Sequence, residues 1–230
     1  FQNKVFLALS NKKTNEAIQL FKELILHEPP VLSDEYEYAE MFANLKDSLL
    51  LARQLYPELL QLSSLIDYKK HVLSLLVTLI DSNLVKASDY ADYFDKIYFD
   101  ARVELKRQQA KDEQLLEKEL SGEDMNNELA FSTEYERVGD NNINDYSVLL
   151  SPFYNLKKPV QVFFERLLKS REPYVRLTAA VLLLRNSQPV ADSILYALAA
   201  DDKYRSKLYI QLEKAGRLDI FPAKFKTQQL

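Results

Sequence analysis

The stretch from Glu172 to Asn186 reads EPYVRLTAAVLLLRN. A turn at Arg171-Glu172-Pro173 delivers the chain into Val-Arg and then into an alanine- and leucine-rich helix over 174–186. Sliding the chain against itself by 29 positions brings Val175-Arg176 onto Tyr204-Arg205. The same shift sets Ala179 on Leu208, Val181 on Ile210, Leu183 on Leu212 and Arg185 on Lys214. Helix pairs recurring at about thirty residues are the mark of a repeat architecture, because one pair has an apolar face too large to leave wet and the next pair covers it.

Working outward, the helices ahead of each copy also correspond. PVQVFFERLLK over 159–169 opens on a proline, whose missing N–H costs nothing in a first turn. Residues 190–200 form its counterpart, Asp201-Asp202 caps a helix over 203–215, and Gly216 stands where a left-handed cap is expected. Towards the N-terminus, Ala17, Ile18, Phe21, Leu24 and Ile25 make one helical face over 14–27, stopped by Pro29-Pro30. A second periodic run extends from Tyr38 to Tyr56, with Pro57 at its end or opening the next short turn. KKHVLSLLVTLI over 69–80 is apolar nearly all round, as befits a helix enclosed by others, and Ser82-Asn83 closes it. Ser88 is expected to cap a further helix that continues into the charged segment QQAKDEQLLEKEL. Residues 121–146 sustain no period and hold two of the three glycines, so they are expected to form a connection.

With 230 residues, 47% hydrophobic and 28% charged, the chain has the size and balance of a globular protein that buries its own core. Three glycines are too few for a turn-rich sheet protein. The absence of cysteine excludes disulfides, thiolate metal sites and cysteine nucleophiles, and leaves the compartment open. No apolar run approaches the ~20 residues a membrane span needs. The chain opens at Phe1 without an initiator methionine or signal pattern, which is expected of a piece of a longer polypeptide. Charge is divided: residues 1–151 carry 16 Lys/Arg and 27 Asp/Glu, and residues 152–230 carry 14 and 7. A basic C-terminal half can face an anionic partner or the chain's own acidic half.

Pro173, Val175, Arg176, Ala179, Ala180 and Leu183 resemble the second-helix pattern of the HEAT-repeat family, especially its short-period, phycobilisome-lyase-like members. The resemblance covers about residues 159–216, with Tyr204 and Leu208 in the second copy where the pattern has valine and alanine. It implies a right-handed superhelix of helix pairs, an arginine that satisfies backbone and acidic groups between neighbouring repeats, and alanines that let helices approach closely.

Residues able to carry chemistry are sparse. His27 and His71 each lie in or beside an apolar helix with no second histidine at ligand spacing. Asp89, Asp92 and Asp95 fall at i, i+3, i+6, a spacing that on a helix could hold Mg²⁺-diphosphate, but acidic residues also suit the first turns of a helix for its dipole alone. DNNIND, from Asp140 to Asp145, lacks the glycine at the sixth position and the glutamate at the twelfth that a calcium loop needs. Arg166, Lys169, Arg171, Arg176, Arg185, Arg205, Lys207 and Arg217, interleaved with Tyr174, Tyr204 and Tyr209, could clamp phosphates or form a solvated helix face.

The expectation is therefore an all-α, right-handed HEAT/ARM-like superhelix of eight to ten helices. Residues 1–120 form an acidic helical region, 121–150 a linker, and 151–230 the repeats. The function expected is non-catalytic, a scaffold or protein/peptide-binding module without metal or cofactor. Its surface is expected near Arg176, Arg185, Tyr204 and Arg205. The alternatives are an accessory domain of an enzyme whose active site lies elsewhere, and nucleic-acid binding through the basic half.

Overall fold

The computed structural model describes residues 2–27, 35–63, 66–121 and 142–226. Pro29-Pro30 and Asp140, both weighed in the sequence, lie outside them, as do residues 122–141 of the expected connection. The described residues are all-helical, with no strand among them, and no described helix is long and apolar enough to cross a membrane. The chain divides into two compact units, Phe1–Asp95 and Lys96–Leu230.

The first unit contains α1 (Gln2–Asn11), α2 (Asn15–His27), α3 (Glu35–Lys46), the single turn α4 (Leu49–Ala52), α5 (Tyr56–Leu62) and α6 (Ile66–Asp81). Thr14 caps α2, its Oγ1 accepting from the Ala17 N–H at 3.2 Å. Phe6 meets Phe21 edge-on at 5.4 Å where α1 packs on α2. His71 lies flat on Phe42, with ring centroids 5.8 Å apart, where α6 packs on α3. The long period expected from Tyr38 to Tyr56 is broken. The chain turns at Asp47-Ser48, passes through α4 and a 3₁₀ turn at Arg53–Leu55, and re-enters a helix with Pro57 in its first turn. Of the two places open to it, Pro57 takes the start of the next short element, since a helix start has no use for its missing donor.

The second unit takes in α7 (Phe94–Ser121) from Lys96 onward, then α8 (Asn142–Leu150), α9 (Lys158–Leu167), α10 (Pro173–Arg185), α11 (Asp192–Ala200) and α12 (Asp202–Lys214). Residues 142–150, part of the expected connection, are thus helical, and α7 from Lys96 belongs with the C-terminal elements. Tyr98 near the start of α7 donates to the Pro159 carbonyl at the start of α9. Gln108, ten positions on, donates to Ser170 just past the end of α9, eleven positions on. The two helices therefore run side by side in the same direction. In parallel with them, α8 packs on α10 and α10 on α12.

Helix α10 is buried almost all round. Leu177, Ala180, Val181 and Leu184 share a core with Leu195, Leu198, Leu208, Leu212, Phe221 and Phe225. Val175, Ala179, Leu182 and Leu183 are buried as well and serve its contacts with α8 and α9. The segment after α12 folds back through two 3₁₀ turns, setting Phe221 against Tyr209 and Phe225 against Tyr196.

The 29-residue register seen in the sequence holds at the level of single atoms. α10 and α12 are both 13 residues long, starting at Pro173 and Asp202. Ser187 and Gly216, again 29 apart, are both left-handed, with φ of 58° and 66°. Each completes the same helix stop: Gln188 N–H to Leu183 O at 2.9 Å, and Arg217 N–H to Leu212 O at 2.8 Å. Asn83 (φ 57°) ends α6 in the same way, with Leu84 N–H on Leu79 O at 2.9 Å.

Serine tolerates this conformation poorly, so Ser187→Gly is expected to raise stability by about 0.5–1 kcal/mol, and Gly216→Ala to lower it by about 1 kcal/mol. Urea unfolding midpoints measure both. A destabilised Ser187→Gly protein would contradict the left-handed turn. Phe221→Ala, which empties a buried ring site, is expected to cost about 3–5 kcal/mol in the same assay.

Candidate functional site

The arginines expected at a surface do internal work. Arg176 Nη1 donates to the carbonyls of Ser170 at 2.6 Å and Arg171 at 3.1 Å. Arg205 Nε donates to Ala199 O at 2.8 Å, and its Nη2 to Ala200 O at 3.4 Å. The acceptors lie six and five residues back in both cases, so one device occurs twice at the 29-residue shift. A helix end and the turn after it leave carbonyls without backbone partners, and a guanidinium from the next helix supplies donors for two of them: turn carbonyls past α9 for Arg176, and the last two of α11 for Arg205. The bonds close the turn inside each helix pair, whereas the family resemblance implied a link between pairs. Asp202 also pairs with Arg205, which stacks over the Phe225 ring at 5.3 Å.

Tyr204 and Arg205 are buried, at 3% and 8% exposure, and so offer a partner no surface. Tyr204, Arg205, Leu208 and Leu212 form the inner face of α12. Arg176 is half-buried beneath its own turn. Arg185 is exposed and reaches Gln211 Oε1 of α12 at 3.3 Å. Of the four expected residues, Arg185 is the one that stands on an open face.

That face holds Lys207, one of the basic residues read from the sequence, and three members not singled out there. Lys203, Lys207, Ile210 and Lys214 are all exposed on α12. Their spacing of i, i+4, i+7, i+11 places them on a single stripe, a period present in the sequence itself but overlaid by the inward period of Tyr204, Leu208 and Leu212. Lys207 Nζ lies 5.4 Å from the Tyr174 ring centroid on α10 and 5.5 Å from that of Tyr204. The Lys207–Tyr174 and Arg185–Gln211 contacts tie the stripe to α10 at two levels.

Residues weighed for chemistry have structural roles. The expected helix from Ser88 begins instead at Phe94, and 87–93 is two successive 3₁₀ turns. Asp89 accepts from the Lys86 N–H at 2.8 Å, so its carboxylate closes the first turn. Asp92 lies in the second turn and Asp95 in the first turn of α7, so the shared acidic helix face does not form. Asn142, Asn144 and Asp145 lie in α8 rather than in a loop. Burial, reinforced by Asp100 and Glu104, pushes the Tyr146 phenol far above its usual range and holds it protonated.

Asp112 on α7 accepts from Gln108 at 3.1 Å, from Ser170 Oγ at 3.0 Å and from the Arg171 N–H at 3.0 Å. Arg171 pairs with Glu119 at 2.6 Å. The turn that Arg176 closes from one side is thus pinned to α7 from the other.

Comparison of the chain with protein-family models, with curated proteins and with solved structures returned no match.

Arg205→Met is expected to cost about 2–4 kcal/mol, because buried carbonyls lose their donors. Arg176→Met, at a more exposed turn, is expected to cost about 1 kcal/mol. Arg205→Lys should recover less than half of the loss, since one ammonium does not reproduce the fork. Chemical denaturation of the three variants checks this, and an Arg205→Met protein as stable as the parent would refute the clamp.

Proposed function

We propose that this chain is a non-catalytic helical-repeat module of the HEAT-like, right-handed superhelical kind, and that it holds a protein or peptide partner on its second-helix face. The observation that carries the reading is the exact recurrence, 29 residues apart, of one turn-closing arginine and one left-handed helix stop. Two helix pairs with the same internal bonds are two copies of one unit. Copies that bury one another's apolar faces grow by stacking. The parallel course of α7 and α9, with α8, α10 and α12 packed in succession, extends the pattern back to a third pair built from α7 and α8.

Stacked pairs leave the outer sides of the second helices open as a continuous surface, which is how such architectures engage partners. Here that surface carries Tyr174, Arg185, Lys203, Lys207, Ile210 and Lys214. Tyrosine and arginine, with an apolar residue at the centre, are the residue types that dominate protein interfaces. His71 is stacked on Phe42 and Asp89 is engaged in its own turn, which favours binding over catalysis.

A photo-crosslinking amino acid placed at Ile210 is expected to give discrete protein adducts in the source cell, and the same group at Leu50, exposed in the first unit, is expected to give none of them. Identical adduct patterns at the two positions, or no adduct at 210, would overturn the reading.

A further inference from the structure

The stripe on α12 has one sign of charge. Lys203, Lys207 and Lys214 are exposed along it, and Arg185 joins from α10 through Gln211. Among the described residues neither Lys203 nor Lys214 has a carboxylate within ion-pair distance. Two of the nearby acids are turned elsewhere. Asp201 accepts from the Lys203 backbone N–H at 2.9 Å, and Asp202 pairs with Arg205. Glu213, also exposed, borders the stripe on the side away from α10, about 60° round the helix axis from Ile210 and about 120° from Lys207. Amid these cations sit Ile210, 46% exposed, and Tyr174, 37% exposed. Eleven steps of helical rise put Lys203 and Lys214 about 16 Å apart, three turns of a docked helix.

Resting on the reading of this face as a partner-binding surface, we propose that its occupant is an acidic amphipathic segment of a protein. That segment lays apolar residues over Ile210 and Tyr174, and its carboxylates meet Lys203, Lys207, Arg185 and Lys214. Helix-in-groove recognition works this way, with apolar anchors at i, i+3/i+4, i+7 supplying contact and flanking charges fixing direction and register. Two features favour a peptide over other polyanions. The Tyr174 ring already carries the Lys207 ammonium, so it is not a bare platform for stacking a nucleobase. The cations are few and are set about an exposed apolar residue, Ile210, which suits a short segment with both apolar and acidic side chains better than the uniformly charged surface of a membrane or a nucleic-acid duplex.

The test uses the full chain and a fluorescent helical peptide of about sixteen residues, with leucine at i, i+4, i+7, i+11 and glutamate on both flanks. Anisotropy titrations compare it with a scrambled peptide of equal composition, single-stranded RNA and phosphatidylserine vesicles. The expected result is saturable binding of the patterned peptide, weakened at least tenfold by Lys203→Glu/Lys207→Glu/Lys214→Glu. The charge-matched variant Lys158→Glu/Arg166→Glu/Lys169→Glu, on exposed positions in α9 and just past its end, should bind within twofold of the parent. Thermal melts of both variants confirm that they are folded. The proposal is overturned if the triple variant binds the peptide as well as the parent does, if the scrambled peptide binds equally, or if RNA or vesicles show the charge-dependent binding in its place. Failure of the peptide alongside discrete crosslinks from residue 210 would remove this partner while leaving the module reading intact; absence of both would remove the two together.

Discussion

Helix α10 has almost no side that can be left in water. Eight of its thirteen residues are buried, and they point in all directions around the axis. A helix of this kind is unstable by itself, since its apolar surface vastly exceeds what its backbone hydrogen bonds can offset, and it exists only when neighbours enclose it. The second unit can be understood as the set of elements required to do that. α8 and α9 cover one side, α11 and α12 the other, and Ala179 and Ala180, with no exposed surface, keep the side chains short where helices come close. Phe221 and Phe225 then close the outer side of the last pair, where no further helix follows among the described residues.

Enclosure creates a second difficulty at the turns. Where one helix of a pair ends and the next begins, the last carbonyls are drawn towards the core before water can reach them. Both pairs answer with the same side chain. An arginine four positions into the turn-and-helix start reaches back to two carbonyls, and its long stem packs as apolar surface while the guanidinium bonds. Buried arginine is costly without full pairing, which explains why Arg205 also has Asp202 and the Phe225 ring about it. Arg176, less buried, manages with backbone carbonyls, and the turn it closes gains its remaining bonds from Asp112 of α7.

Much of this was legible in the sequence where a residue type has one physical use. Pro159 and Pro173 mark helix starts, Asp201 marks a cap, and Gly216 marks a stop; the helices lie within two residues of where these signals put them. Ser187 was not legible as a left-handed stop, because serine has no preference for that conformation and only its 29-residue correspondence with Gly216 reveals it. Residues 87–93 read as the start of a helix, yet the Asp89 carboxylate competes for the Lys86 N–H and holds a tight turn instead, a local contest that periodicity does not register. The break at Asp47-Ser48 was likewise hidden within an unbroken apolar period. At the candidate site, Arg205 and Tyr204 read as near a surface because they lie on the second helix of a repeat, with an internal contact as the alternative for Arg205. Their spacing with Leu208 and Leu212 is what places them inside.

That same geometry limits where a partner can be held. In α10 the demands of enclosure consume nearly every position, leaving Tyr174 at its start and Arg185 at its end. α12 has α10 and α11 on one side and the returning 3₁₀ segment against its base, so one stripe of its surface, Lys207 against Tyr174 apart, is free of structural duty. Positions without a packing role are free to take any soluble residue, and a random draw would mix signs of charge as the rest of the surface does. The stripe instead holds three lysines and an isoleucine. Lysines brought that close repel one another and oppose folding slightly, and an exposed isoleucine gains nothing from water. Neither feature helps the fold, and both become favourable once an apolar, negatively charged segment lies across them. On the reading proposed above, the stability that α12 gives up on its outer side is interaction energy held for a ligand.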